Sequence, residues 1–195
     1  MKEILAVAGS IIVAVSFIPY LIDTVRHKIK PRIASWMTWS LVTGISTVAA
    51  LAAQAYVSAL LTGSATLVEL AVLALALRNG DRTYGWVDGA SQAISTIGIV
   101  AWLFSKDPAA AILFGIMADF FGAVPTYYHG WIAPHEEQWQ SFVLTGVGSL
   151  LTVFAVTTHN FSNLAFPVYF SITATAIGAD IFFRQKVVKP IPEGS

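Results

Sequence analysis

The chain has 195 residues, 56% of them hydrophobic and only 11% charged, and its eleven basic and eleven acidic residues cancel. A mean hydropathy of +0.70 places it far from soluble domains, in which roughly 25% of residues are charged. A neutral chain without a basic, aromatic-interleaved patch offers nothing to nucleic acid, and the absence of cysteine removes disulfides, thiolate metal sites and cysteine nucleophiles.

A helix needs about 20 mostly apolar residues to cross a bilayer. Seven such stretches are predicted, at 3–24, 33–54, 57–78, 86–104, 108–128, 138–157 and 163–184. The runs are too long and too unbroken for strands, so helices are the remaining spanning solution. The first run follows Lys2 and exceeds a signal-peptide core of about 7–15 residues, which makes it a retained membrane helix. Near its end Pro19 frees the Val15 carbonyl and favours a kink. Lys28-Ile29-Lys30-Pro31-Arg32 then breaks the chain before the second run, which opens with Ser35-Trp36-Met37-Thr38-Trp39 and continues with Thr43, Ser46 and Thr47. The third run starts after a weak boundary at Gln54-Ala55-Tyr56, holds Glu69 near its middle, and ends at Asn79-Gly80-Asp81-Arg82. The fourth, with Asp88 near its start, runs to Lys106-Asp107-Pro108. Asp119 lies near the middle of the fifth, six residues before Pro125, whose ring frees the Phe121 carbonyl. Pro134-His135-Glu136-Glu137 precedes the sixth run, with Trp139 and Phe142 at its start, and His159-Asn160 precedes the seventh, which carries Ser171, Thr173, Thr175 and Asp180.

Of these residues, the mid-helix carboxylates are the strongest functional candidates. A charged side chain at that depth costs roughly 2.5–3.5 kcal/mol on insertion scales. Glu69 and Asp119 are therefore read either as proton-coupling groups facing a polar cavity or as carboxyls bonded to hydroxyls on a neighbouring helix. Pro19 and Pro125 are hinge candidates, the alternative being static bends. Trp36, Trp39, Trp139 and Phe142 fall within one turn of a helix edge, where they form either an interfacial belt or a substrate-binding wall that stacks on a flat or apolar ligand. Asp23, Asp88 and Asp180, nearer the helix ends, are assigned structural roles. His135-Glu136-Glu137 lacks the second histidine of the helical zinc motif. His27, His129, His135 and His159 are read as loop or edge residues that do not converge. No phosphate loop, nucleophile elbow or mid-helix lysine is present, so no metal, cofactor or enzymatic activity is expected.

The chain also repeats itself. Pro19-Tyr20, Pro31, Trp36, Trp39, Leu41 and Thr43-Gly44 are echoed by Pro125-Thr126, Pro134, Trp139, Phe142, Leu144 and Thr145-Gly146. The echo divides the chain into residues 1–79, a linker helix within 80–106, and residues 107–195. An odd linker restores the direction of insertion, so the halves are parallel repeats of three helices each. Arg26, Lys28, Lys30, Arg32, Arg78, Arg82, Arg184, Lys186 and Lys189 fall on one side of this topology, and only Lys2 and Lys106 on the other. The positive-inside rule then puts the N-terminus outside and the C-terminus in the cytoplasm.

The stretch from Ile18-Pro19-Tyr20 through Lys30-Pro31 to Ser35-Trp36-Met37-Thr38-Trp39, with Asp119 followed by Pro125-Thr126, resembles the pattern of the PQ-loop superfamily. That superfamily includes the SWEET and SemiSWEET sugar transporters, lysosomal amino-acid exporters and the related KDEL receptors. The chain is most similar to small bacterial seven-helix PQ-loop-like proteins. Tyr20 and Thr126 stand where the motif has glutamine, and the asparagines associated with sugar recognition are missing, since Asn79, Asn160 and Asn163 lie in or beside loops. The resemblance implies an all-α, 3+1+3 multi-pass protein of a bacterial inner membrane. Within the bilayer it would carry a small polar substrate by alternating access, coupled to protons, and a homo-oligomer is compatible with it. The rival expectation is a receptor or scaffold binding a peptide or lipid in the same cavity.

Overall fold

The computed structural model describes residues 2–52, 54–105 and 108–189. Lys106, counted above among the basic residues, lies outside them. The described chain folds into α1 (Lys2–Ser16), α2 (Ile18–Val25), α3 (Ile33–Ala52), α4 (Tyr56–Asn79), α5 (Trp86–Phe104), α6 (Pro108–Ile132), a 3-10 turn (Pro134–Glu136), α7 (Trp139–Ala155) and α8 (Phe161–Val187). Among the described residues no strand forms, apart from an isolated bridge between Arg32 and Asp81. Lys2–Val25, Ile33–Leu51, Tyr56–Asn79 and Phe161–Val187 are each long and apolar enough to cross a membrane, and α7 is a shorter apolar helix.

The first apolar stretch is not one helix. It breaks at Phe17, and Pro19 sits in the first turn of α2, where a missing N–H costs nothing. Pro125, by contrast, lies inside an uninterrupted α6, as Pro167 does inside α8. The two prolines paired by the repeat thus have different local consequences. Two helix ends close without glycine: His27 (φ 56) and Gln54 (φ 57) adopt the left-handed conformation. Lys28 N–H then reaches the Asp23 carbonyl, and Ala55 N–H the Ala50 carbonyl, both at 2.9 Å, as in a Schellman end. At α8 the Asn160 side chain accepts the Asn163 N–H at 3.0 Å and caps the helix.

The outer surface is more apolar than that of a soluble protein. Ile4, Val7, Ile11 and Val15 form an exposed apolar stripe along α1, and Leu60, Leu67, Leu70 and Leu77 lie exposed on α4. Beside its apolar core the interior holds Ser16, Thr24, Thr43, Thr62, Thr126, Ser141 and Thr152. Their small side chains let helices approach, and several return their hydrogen to the carbonyl four residues back, as Thr24 does to Tyr20 (2.8 Å) and Thr62 to Ser58 (2.9 Å). This arrangement suits lipid around the perimeter and hydrogen bonding within.

Helix α4 packs against both α1 and α3, and α8 against both α6 and α7. The two triplets meet through α1 on α7 and through α3 on α6, while α5 lies mainly along α6. Backbone meets backbone where α1 crosses α7. A Cβ on Gly9 would fall 2.5 Å from the Gly148 carbonyl oxygen, and one on Gly148 would fall 2.7 Å from that of Gly9. Gly148→Val should therefore force the pair apart at about 1–3 kcal/mol, the usual cost of overpacking. Gly44→Ala, whose Cβ would meet only Thr66 Cγ2 at 3.6 Å, should be tolerated. Thermal unfolding in detergent reads both.

Candidate functional site

Helices α1, α3, α4, α6, α7 and α8 enclose a cavity of about 60 Å³. At roughly 15 Å³ per water it has room for about four. Glu69, from α4, and Asp119, from α6, both line it. Asp119 is 4% exposed. Its Oδ2 accepts the Tyr169 hydroxyl at 2.7 Å, while Oδ1 is buried with no hydrogen-bond partner among the described residues. The α6 backbone here is held from two sides, by the Trp39 indole N–H on the Asp119 carbonyl (3.2 Å) and the Ser95 hydroxyl on the Ala118 carbonyl (2.8 Å).

Glu69 is paired with Thr43, whose hydroxyl lies within bonding distance of both Glu69 Oε2 and the Trp39 carbonyl. A hydroxyl has one hydrogen. If Thr43 gives it to Glu69, an ionised carboxylate is accommodated; if Thr43 gives it to the Trp39 carbonyl, the contact with Glu69 requires a proton on the carboxyl. The same geometry therefore serves both protonation states.

Trp36, Trp39 and Phe142 line this cavity with Phe17 and Phe170. Trp36 is 1% exposed, so neither it nor Trp39 belongs to an interfacial belt. Trp139, which the repeat pairs with Trp36, does not line the cavity. It packs against the outside of the central cluster, with its ring 4.9 Å from Phe182 on α8. Pro19 and Pro125 do not line the cavity either.

On one side of the cavity its lining residues Phe17, Trp36 and Phe142 join Tyr20 in a layer of mutually tilted rings, with Tyr20 and Trp36 centroids 5.3 Å apart. The Tyr20 hydroxyl leaves this layer and donates to Glu137 at 2.7 Å. From there a polar network spans the end of the molecule that holds the α2–α3, α4–α5 and α6–α7 connections. His129 touches Glu137 at 3.1 Å and Glu136 at 3.2 Å, and Lys30 donates to Glu136 at 2.5 Å. Arg32 grips Asp88 through two nitrogens, at 2.9 and 2.5 Å, and also reaches Asp81 and Thr83. Asp81 in turn lies 3.9 Å from His129. The fork of Arg32 thus joins the α2–α3 connection to α5, and His129 joins α6 to the next connection.

His129 was expected at an edge; it is buried in the last turn of α6. Asp88 is paired with Arg32, and Asp23 accepts Gln138 at 3.0 Å. Asp180 Oδ2 is buried with no partner among the described residues. Sequence reasoning missed Tyr169, which looks like any aromatic in an apolar run, and Glu137, which looks like a loop acid. Among the described residues no three acidic or histidine side chains are grouped to hold a metal ion.

No family model, curated protein or solved structure matches this chain. The geometry alone therefore carries the functional reading.

Burial alone would lower the His129 pKa, but the carboxylates of Glu137, Glu136 and Asp81 outweigh it and hold the group above its ordinary 6.5. A raised folded-state pKa stabilises fully below the unfolded value, and that contribution fades as pH climbs through the folded value. Thermal stability should therefore fall as pH rises above about 6.5, and His129→Gln should flatten that slope. Arg32→Ala, which strands Asp88 at 1% exposure, should cost about 3–5 kcal/mol. Melting curves measured across pH check both expectations.

Proposed function

We propose that this chain is a proton-coupled, alternating-access transporter of a small polar solute, built as two parallel three-helix repeats around a linker helix. The observation that carries the reading is the placement of Glu69 and Asp119, from different triplets, on one small cavity inside an apolar-skinned helical bundle. A buried charge at that depth is expensive and marks solute or proton pathways. The packing pattern supports the repeat: in each triplet the third helix touches the other two, and the first helix of one half lies on the second of the other. All seven long segments, the broken α1–α2 counted as one, then cross the bilayer, with the basic end in the cytoplasm of a bacterial cell.

In this reading Asp119 takes up and releases the coupling proton at Oδ1, with Tyr169 holding Oδ2. Glu69 is its partner, and Thr43 accommodates either of its protonation states. Trp36, Trp39 and Phe142 wall the solute. The aromatic layer and the network behind it close the cavity toward the basic end. Opening requires the Tyr20–Glu137 bond and the ion pairs around His129 to separate, with the Phe17 break and Pro125 absorbing the bend.

Orientation is tested with single cysteines in a chain that has none. An impermeant thiol reagent on intact cells should label His159→Cys and leave Lys28→Cys and Ala133→Cys unmodified; the reverse pattern would invert the topology. Coupling is tested in proteoliposomes. Asp119→Asn should lose solute accumulation driven by a pH gradient while retaining solute exchange. Wild-type pH-driven accumulation by this variant would remove Asp119 from the coupling role.

A further inference from the structure

The chemistry of the cavity wall selects a charge for its occupant. Two carboxyl groups face the space, and none of the residues lining it is a lysine, arginine or histidine. An anion placed there would meet two acids and no counter-charge. A sugar would meet few polar atoms, since the remaining wall is chiefly aromatic and aliphatic. A cation would meet both a formal counter-charge and electron-rich rings, the combination by which proteins hold ammonium groups. Asp119 lines the cavity and keeps one carboxyl oxygen, Oδ1, buried without a hydrogen-bond partner among the described residues, an acceptor that a cation would satisfy.

We infer that the cavity binds a small organic monocation, an alkyl- or quaternary ammonium, between Glu69, Asp119 and the rings of Trp36, Trp39 and Phe142. This assignment deepens the transport reading and rests on it for the coupling step alone. A volume of about 60 Å³ admits about four waters, or a ligand of about four to six non-hydrogen atoms. The titratable groups facing Asp119 are Tyr169 on α8 and Glu69 on α4. From α3 the Trp39 indole N–H bonds the Asp119 backbone carbonyl, and from α5 the Ser95 hydroxyl bonds that of the preceding Ala118; neither brings a charge. With one of the two acids ionised and the other protonated, the wall carries one negative charge, which a single monocation neutralises. A cation that enters as the second proton leaves keeps the cavity charge constant, so proton and ammonium compete for the same oxygens and exchange in opposite directions. The exchange involves no covalent step: the proton departs to water on the side where the ammonium arrives.

The probe is tetramethylammonium chloride, whose charge does not titrate. Added to the purified full-length protein in detergent, it should raise the melting temperature saturably, against sodium chloride at equal ionic strength, and the effect should grow as pH rises and the competing proton is removed. tert-Butanol, neutral and of similar size, and sodium acetate should not reproduce it. Asp119→Asn and Glu69→Gln should each weaken the apparent affinity at least about tenfold, with unliganded melting curves showing that both variants fold. Equal stabilisation by tert-butanol or acetate would overturn the assignment, as would an undiminished tetramethylammonium effect in the double variant. Proteoliposome flux separates the two ideas. If tetramethylammonium binds with this signature but exchanges for no proton, transport falls and the cation site stands; if only neutral or anionic solutes drive proton movement, transport stands and the cation site falls.

Discussion

The guanidinium of Arg32 is the point on which the basic end of the molecule depends. It is 7% exposed, and at that burial a charge is tolerable only when it is paired and hydrogen-bonded. Asp88, Asp81 and Thr83 accept four of its five N–H groups, which fixes the α4–α5 connection and the start of α5 against the start of α3. Asp81 passes the constraint to His129, and the two glutamates beside that ring pass it to Lys30 and Tyr20. Helices with apolar outer faces have little to hold their ends in register, because lipid solvates those faces as well as a neighbouring helix does. Directional ion pairs provide that register here.

The same network stands directly behind the cavity. Tyr20 has its ring in the aromatic layer and its hydroxyl in the charged layer, so a movement of either is felt by the other. The cavity wall and the polar network at the basic end are therefore one mechanical unit, and it includes groups from both halves of the chain.

Much of this was legible in the sequence, because lipid imposes a length and a polarity that few other environments do. The apolar stretches were readable from composition, and Glu69 and Asp119 from the cost of a carboxyl at that depth. Their sharing of one cavity was not, since fifty residues separate them and only the packing of α4 and α6 against common neighbours brings them together. The network was invisible for a different reason: Asp88, His129, Glu136 and Glu137 look alike as solvated loop residues and as buried partners. Trp36 and Trp139 occupy matching positions in the repeat, yet one lines the cavity and the other packs on Phe182. Spacing along a helix says nothing about the azimuth at which that helix is mounted. The helix ends at His27 and Gln54 carried no glycine to announce them.

The crossing of α1 and α7 has a consequence for how this sequence can drift. A methyl group on Gly9 collides with the backbone oxygen of Gly148, and one on Gly148 collides with that of Gly9. Neither collision is with a side chain, so no substitution at one position makes room for a change at the other. Contacts between side chains leave a trace of paired exchanges among descendants, large for small on one side and small for large on the other. Between the two glycines this contact can leave none, although they are among the most intimate neighbours in the molecule.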